Sequence, residues 1–197
     1  LQELKEKQLS EIYKMLCLGL GQPVKEFTWA PKDNKGKNIG TPKTYTPQSF
    51  YQEFIGLDLQ NDYIMLMNDP SRENWKTYEI EYDRHTYDGH NWKYVNVPMD
   101  DIKQAAVASI KDSTMMYFSC DVSKYLDRKR GIADLSNYNF DEIFGVTFGM
   151  DKAQRVKTYD SGSTHAMTLM AVDIDDEGKT KKWMVENSWG ASHGHNG

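Results

Sequence analysis

The sequence predicts an α+β fold, with helices early in the chain and antiparallel strands at its end. Helical periodicity occurs near the start, in residues 9–20, and again in residues 100–111. Two strand-like runs close the chain, 166–173 and 181–187, and the turn sequence Asp175–Gly178 separates them. Helices grouped before antiparallel strands are typical of α+β domains, whereas regular alternation of helices and strands indicates a parallel sheet.

The first quarter of the chain is predicted to hold two helices separated by a long loop. Six apolar residues at helical spacing predict the first helix: Leu9, Ile12, Tyr13, Leu16, Cys17 and Leu20. Gly19 and Gly21 provide its end. The segment 22–47 is rich in proline, glycine, asparagine and lysine, so we expect a surface loop. Thr46 is placed to cap the second, short helix, with Pro47 at its first position.

The middle of the chain alternates between short elements and turns. Residues 61–98 predict short strands, and residues 100–111 predict a helix capped by one of the two aspartates that begin it. Residues 114–120 predict a strand with alternate side chains on one face. The polar segment 126–140 is expected to be a loop, and residues 151–157 to form one or two helical turns.

The composition is that of an ordinary folded protein. Of its 197 residues 39% are hydrophobic, and the net charge is −5. The longest apolar runs, such as residues 63–67, are far shorter than the roughly 20 residues of a membrane span, so no membrane partner is expected. The basic run Asp127–Arg130 is short, and nucleic acid is therefore not expected as a partner.

The two cysteines and the chain ends give weaker indications. Cys17 and Cys120 are too few for a disulfide framework or a zinc cluster, and reduced thiols favour a cytoplasmic location. The first residues, Leu1–Glu6, read like the interior of a helix, and the last residues also read as an interrupted element. We therefore expect a segment of a longer protein, incomplete at both ends.

Two polar residues of the closing strands indicate catalytic chemistry. His165 opens the first run and Asn187 ends the second, so a hairpin brings them to one end of a sheet. The asparagine oxygen can accept a hydrogen bond from one imidazole nitrogen, which leaves the other nitrogen for a nucleophile. Both residues fall in a predicted antiparallel β part, 113–197. The preceding part, 1–112, is predicted to be mainly helical with a long loop insertion.

The motifs around these residues resemble the papain-like cysteine peptidases, and more closely the branch of bleomycin hydrolase and aminopeptidase C. The general match is His165–Ala166 followed by Asn187–Gly190. The narrower match is Thr164–Thr168, then Val185–Gly190, then His193–His195. Four other segments share the resemblance: Ser109–Asp112, Phe118–Val122, Leu66–Pro70 and Phe27–Trp29. The resemblance therefore covers nearly the whole chain.

The resemblance implies a papain-like fold whose last part is a β-barrel-like antiparallel sheet. It implies that His165 is the catalytic imidazole, Asn187 its orienting partner, and Trp189 the indole that shields their hydrogen bond from water. The enzyme would remove residues from peptide N-termini through a cysteine thiolate, without a cofactor and without a metal. Family members resemble hexameric barrels, so a homo-oligomer is also implied. The chain would be the C-terminal half of such an enzyme.

The nucleophilic cysteine is the departure from this family pattern. The pattern places it well before the histidine, in a Gln-x-x-x-x-x-Cys-Trp segment that this chain lacks. Cys17 lies on the apolar face of a predicted helix and is expected to pack in a core. Cys120 lies on a predicted strand that the resemblance places near the substrate cleft. We therefore expect the chain alone to be inactive.

Other functions stay open at this point. A non-catalytic papain-like assembly or binding module would keep the His–Asn pair without a nucleophile. Nucleic-acid binding is opposed by the acidic charge balance. Cys120 or Cys17 would have to be alkylated in a reaction that depends on His165 to count as a substitute nucleophile. Metal catalysis by His165, His193 and His195 is not expected, because their spacing is not that of zinc peptidases.

Overall fold

The computed structural model describes residues 1–59 and 61–195 and groups the chain into two compact units. The first unit is Leu1–Tyr63 and the second is Ile64–Gly197. Mixed helices and strands occur as predicted, but strands are present from residue 27 onwards. The division expected after residue 112 stays a prediction.

The first unit begins with helix α1, Gln2–Leu20, which confirms the predicted helix and extends it towards the N-terminus. Gly21 ends the helix with a positive φ of 85°, a conformation that glycine adopts without steric penalty. No residue of α1 is buried, and Cys17 is only half-buried. The structure therefore does not place Cys17 in a core, contrary to expectation, because the helix carries no fully buried position.

A short β-ribbon interrupts the segment that was predicted to be a loop. Strand β1, Phe27–Trp29, pairs in antiparallel register with β2, Lys43–Tyr45. The prediction of a surface loop over residues 22–47 was therefore wrong in part, because two short strands lie within it. Aromatic side chains stabilise the ribbon, because the Phe50 ring lies 5.1 Å from the Trp29 ring and 5.4 Å from the Tyr45 ring between centroids.

The predicted cap of the second helix is confirmed. Helix α2, Pro47–Phe50, follows Thr46, whose Oγ1 accepts a hydrogen bond from the Ser49 backbone N–H at 3.1 Å. The Ser49 hydroxyl in turn accepts from the Thr46 N–H at 2.9 Å, which completes a capping box. A π-helical turn, Tyr51–Ile55, continues directly from α2.

The second unit opens with a three-stranded sheet in the order β3-β5-β4. Its strands are β3 (Leu66–Met67), β4 (Lys76–Ile80) and β5 (Trp92–Asn96). They confirm the short strands predicted for this region. Strand β3 runs parallel to β5, and β4 runs antiparallel to it. The last residue of β5, Asn96, is fully buried, and its Oδ1 accepts from the Asp69 N–H at 2.7 Å.

Helix α3, Met99–Lys111, is the helix predicted over residues 100–111, but its cap differs. Pro98 occupies the cap position, and no side chain caps the helix. The expectation that Asp100 or Asp101 caps it was wrong, because both residues lie inside the first turn. There their negative charges favour the positive end of the helix dipole.

The segment between residues 116 and 157 begins with the predicted strand β6, Met116–Cys120. The following region, expected to be a loop, contains a two-stranded hairpin of β7 (Leu126–Asp127) and β8 (Ile132–Ala133). Helix α4, Phe140–Phe144, comes next. The predicted helical turns are confirmed as α5, Lys152–Lys157.

The closing strands form the central sheet of the second unit. Strand β9, His165–Ile174, pairs antiparallel with both β10, Thr180–Glu186, and β6, in the order β10-β9-β6. The turn predicted at Asp175–Gly178 is confirmed, with Gly178 at a φ of 82°. In the described residues this sheet is open, with three strands, and α3 packs on β9.

Candidate active site

His165 and Asn187 meet at one end of the β10-β9-β6 sheet. His165 is the first residue of β9, and Asn187 directly follows Glu186, the last residue of β10. Because the two strands run antiparallel, the start of β9 and the end of β10 lie at the same end of the sheet. The His165 Nε2 atom lies 2.9 Å from the Asn187 Oδ1 atom. Both side chains are half-buried.

A second contact fixes the identity of the two hydrogen-bonding atoms. The Ser188 backbone N–H donates to the same Asn187 Oδ1 atom at 2.7 Å. A backbone N–H only donates, so the atom it meets is the amide oxygen and not the amide nitrogen. The oxygen can only accept, and His165 Nε2 must therefore carry the proton. In the neutral ring, Nδ1 is then the free base.

In the described part of the chain no hydrogen bond to His165 Nδ1 is found. The site therefore offers a basic nitrogen whose ring is held from the opposite side. Such a nitrogen can accept a proton from a nucleophile and return it to a leaving group. The sequence analysis expected this arrangement: a hairpin brings Asn187 to one imidazole nitrogen of His165 and leaves the other nitrogen for a nucleophile.

Trp189 covers part of the His–Asn pair. The centroids of the His165 and Trp189 rings are 5.2 Å apart, and the ring planes are tilted by 32°. Trp189 itself is 36% exposed, so one side of the indole faces solvent. Excluding water from a hydrogen bond strengthens it, because the local dielectric falls. Trp189, which was predicted to belong to the site, thus lies against the His165 ring.

Hydroxyl side chains hold the backbone on both sides of His165. The Ser119 Oγ donates to the His165 carbonyl at 3.0 Å and also contacts the Ser163 hydroxyl. The Thr164 Oγ1 accepts from the Val122 backbone N–H at 3.1 Å. The sequence alone assigned these hydroxyl side chains no role in holding the backbone of His165. The hydroxyl-rich stretch Ser161–Thr164, directly before the histidine, was the signal that could have indicated them.

The structure brings Cys120 next to His165 without joining them by a hydrogen bond. The two residues are directly opposed in the β6-β9 register. No hydrogen bond links the Cys120 thiol to the imidazole within the described residues. Burial, and secondarily the Asp121 carboxylate, raise the pKa of the Cys120 thiol. A raised pKa disfavours the thiolate that nucleophilic attack requires.

An open depression with a volume of about 590 Å³ lies next to Trp189. Arg128, Lys129, Trp189 and His193 line it. The Arg128 guanidinium carbon is 5.4 Å from the centroid of the Trp189 ring, and the His193 ring meets the same indole edge-on at 6.2 Å. Sequence reasoning did not connect Arg128 with the site, because the two loops are about sixty residues apart.

The structure gives no support to a metal centre among the described residues. In that part of the chain no group of three or more histidine, cysteine, aspartate or glutamate side chains is placed to hold an ion. The same residues contain no helix with the length and apolar character of a membrane span.

Comparison with known proteins places these features in context. The model of the Peptidase C1-like family matches residues 1–197. Human bleomycin hydrolase is 40% identical over 195 residues, which cover 96% of this chain and 43% of that protein. Aminopeptidase G of Lactobacillus delbrueckii subsp. lactis is 36% identical over 197 residues, which cover 100% of this chain and 44% of that protein.

A solved structure shows the same fold. The crystal structure of PepW from Lactobacillus rhamnosis superposes with a TM-score of 0.89 at 33% sequence identity. The match covers 100% of this chain and 44% of PepW. The chain therefore spans less than half the length of the relatives it matches.

Proposed function

Since this chain belongs to the Peptidase C1-like family, we propose that it is the C-terminal portion of a cysteine aminopeptidase similar to bleomycin hydrolase. Family membership confirms the resemblance that the motifs from Thr164 to His195 indicated. The likeness to PepW confirms the predicted α+β, papain-like fold. The activity, substrates and partners of the whole protein are the proposal.

The proposed reaction is acyl transfer through a thiolate and an imidazolium. His165 Nδ1 takes the proton of a cysteine thiol, and the thiolate attacks the carbonyl carbon of the peptide bond. The bond between that carbon and the amine nitrogen breaks as the imidazolium returns the proton to the leaving amine. Water, deprotonated by the same nitrogen, then attacks the acyl carbon; the carbon–sulfur bond breaks, the acyl group leaves as an acid, and the thiolate–imidazolium pair is restored. Asn187 keeps the ring oriented while its charge changes.

The nucleophile is proposed to come from a part of the protein outside this chain. Cys120 has the raised pKa described above and no hydrogen bond to the imidazole. Without a nucleophilic cysteine thiol beside it, His165 has no proton to accept and no thiolate forms. We therefore expect the 197-residue chain alone to leave peptide bonds intact.

The relatives' names support the class of substrate. Aminopeptidases C, E and G and bleomycin hydrolases all align with nearly the full chain. We propose that the whole protein removes residues from peptide N-termini, needs no cofactor, works in the cytoplasm and assembles as a homo-hexamer. A non-catalytic papain-like module is the alternative, in which the nucleophile position is occupied by a residue other than cysteine.

The observation that carries the proposal is the 2.9 Å contact between His165 Nε2 and Asn187 Oδ1. A general base needs an oriented ring and one nitrogen that is free to exchange a proton. Here one nitrogen is held by an oxygen of known identity, and the other has no partner in the described residues. The arrangement suits proton transfer.

The test uses the natural full-length protein that contains this chain. It is treated with an epoxide probe for activated thiols, and its intact mass and its hydrolysis of an aminoacyl arylamide are measured. We expect one probe per chain, attached outside residues 1–197, and His165→Ala should lower hydrolysis about 10²- to 10⁴-fold. His85→Ala, an exposed histidine, is the matched control.

Three outcomes would contradict the proposal. Full activity of His165→Ala would remove the histidine from the reaction. A probe on Cys120 would reassign the nucleophile. A protein that is neither labelled nor active would favour the non-catalytic alternative.

A further inference from the structure

The basic turn between β7 and β8 lies beside the candidate active site. Arg128 and Lys129 occupy this turn, and both line the depression next to Trp189. We propose that Arg128, Lys129 and Trp189 form an anion subsite that binds a carboxylate on the leaving side of a peptide substrate. This inference rests on the proposed function and extends it to the substrate's recognition.

The turn is held in place by contacts that leave two of its three cationic side chains, those of Arg128 and Lys129, available. Asp127 Oδ1 accepts from the backbone N–H groups of Lys129 and Arg130 at 3.0 and 3.1 Å. The Asp127 carboxylate also faces the Arg130 guanidinium at 4.0 Å. The Asp127 carboxylate is thus engaged with the turn's backbone and with Arg130.

In the described part of the chain, neither Arg128 nor Lys129 forms an ion pair. The guanidinium of Arg128 instead lies over the Trp189 ring, 5.4 Å from its centroid. A guanidinium stacked on an aromatic face keeps its N–H donors at the edge, where they can form charge-assisted hydrogen bonds.

Gly131 of the basic turn packs closely against Gly194 of the loop that follows Trp189. A Cβ at Gly131 would lie 2.5 Å from the Gly194 Cα, so the two backbones touch there. Both glycines have positive φ, 65° and 54°. This close approach joins the loop of Arg128 to the loop of His193 and gives the depression its two walls.

The charge of the subsite decides which part of a substrate it can meet. An aminopeptidase substrate carries an ammonium group on the residue before the scissile bond, and the cations of the turn repel it. The C-terminal carboxylate of a peptide, and any acidic side chain after the first residue, lie beyond the scissile bond, on the leaving chain. His165 must also lie close to that chain, because it protonates the leaving amine.

The distances set the position of the carboxylate along the chain. The Trp189 ring lies 5.2 Å from the His165 ring and 5.4 Å from the Arg128 guanidinium carbon, so the guanidinium is within about 11 Å of the imidazole. An extended peptide advances roughly 3.3–3.6 Å per residue. A carboxylate one or two residues after the scissile bond therefore reaches the guanidinium. It comes either from the peptide's own C-terminus or from an acidic side chain.

The experiment compares matched substrates with the natural full-length protein. One pair is a dipeptide with a free C-terminal carboxylate and its C-terminal amide. The other pair has aspartate or asparagine after the scissile bond, with the C-terminus amidated in both. We expect kcat/KM to favour the carboxylate in at least one pair by roughly tenfold at low ionic strength. The pair that shows the preference identifies the source of the carboxylate.

Variants test whether the turn causes the preference. In Arg128→Gln/Lys129→Gln the ratio of kcat/KM between carboxylate and amide should fall to about one. Arg84→Gln is the matched control, because Arg84 also stacks on a tyrosine ring, at 5.5 Å from the Tyr82 centroid, and should keep the wild-type ratio. A wild-type ratio of one, or a ratio unchanged in the double variant, would overturn the subsite.

A binding measurement separates this inference from the proposed function. The indole N–H resonance of Trp189, assigned with Trp189→Phe, is followed during titration with an N-acetylated amino acid and with its amide. A saturable shift that only the carboxylate causes, and that the double variant loses, supports the subsite even in a protein without peptidase activity. No shift for the carboxylate overturns it.

Discussion

Replacing Asn187 by alanine should slow the proposed reaction by an amount that the structure allows us to estimate. The substitution removes the oxygen that accepts from His165 Nε2 at 2.9 Å and from the Ser188 N–H at 2.7 Å. The imidazole then loses the contact that fixes its orientation and its protonated nitrogen. The contact matters most when the ring is charged, because the hydrogen bond is then charge-assisted.

The expected loss follows from the strength of one such bond. A hydrogen bond to a charged group contributes about 1.5–3 kcal/mol, which corresponds to a factor of about 10 to 150 in rate. The contact between His165 and Asn187 is only part-buried, and water can replace some of it. We therefore expect kcat of Asn187→Ala to fall about 10- to 50-fold, with little change in KM, since Asn187 is not placed to bind substrate.

The assay is hydrolysis of an aminoacyl arylamide by the natural full-length protein. Asn187→Asp retains an acceptor oxygen and should recover kcat to within about fivefold of the wild type. Asn91→Ala is the matched control, since it removes an asparagine that bonds to Glu79 at 2.7 Å, away from the candidate site. Unfolding in urea shows whether each variant is folded.

Two results would refute the reasoning. If Asn187→Ala retained more than half of the wild-type kcat, the contact with His165 would have no role in turnover. If alanine and aspartate at position 187 lowered kcat equally, the loss would come from damage to the loop and not from the missing acceptor.

Three further predictions concern stability and thiol reactivity. Asn96→Ala should lower the free energy of unfolding in urea by about 3 kcal/mol, because Asn96 is 0% exposed and its backbone partners lose their hydrogen bonds; a loss below about 1 kcal/mol would contradict this. Gly145→Ala should lower the free energy of unfolding by about 1–2 kcal/mol through backbone strain. Gly131→Ala, at nearly the same φ, should lower it further because its Cβ meets Gly194. Equal losses of stability would show that the close approach is unimportant. Alkylation of Cys120 by iodoacetamide, followed by mass spectrometry, should be slow at pH 7 and accelerate about tenfold per pH unit to at least pH 9, because burial raises its pKa; rapid labelling that does not depend on pH would contradict it.

Local patterns account for the parts of the fold that were predicted correctly. The periodicity of α1 and α3, the alternation in β9 and β10 and the turn at Asp175–Gly178 all depend on neighbours within a few residues. Thr46 caps α2 for the same reason. These signals placed His165 and Asn187 at the ends of paired strands, and their contact followed from the hairpin.

The errors have a different physical origin. The β1-β2 ribbon lies in a segment rich in turn-forming residues, and it is stabilised by aromatic rings around Phe50 rather than by its own alternation. Helix α3 begins at Met99, before the two aspartates, so Pro98 occupies the cap position and the acidic side chains lie within the first turn, where they favour the helix dipole. Cys17 lies on an apolar helix face that the structure leaves without a buried residue.

The sequence by itself indicated the α+β class and the closing hairpin, because both depend on short-range spacing, and its motifs, by their resemblance to papain-like peptidases, singled out His165, Asn187 and Trp189 as candidate site residues. Only the tertiary structure decided which atom of Asn187 faces the imidazole, and that Arg128 lies over Trp189. It also decided that the turn of Gly131 touches the loop of Gly194. These contacts join residues that are distant in the chain, and their geometry depends on the packing of whole loops, which no local pattern records.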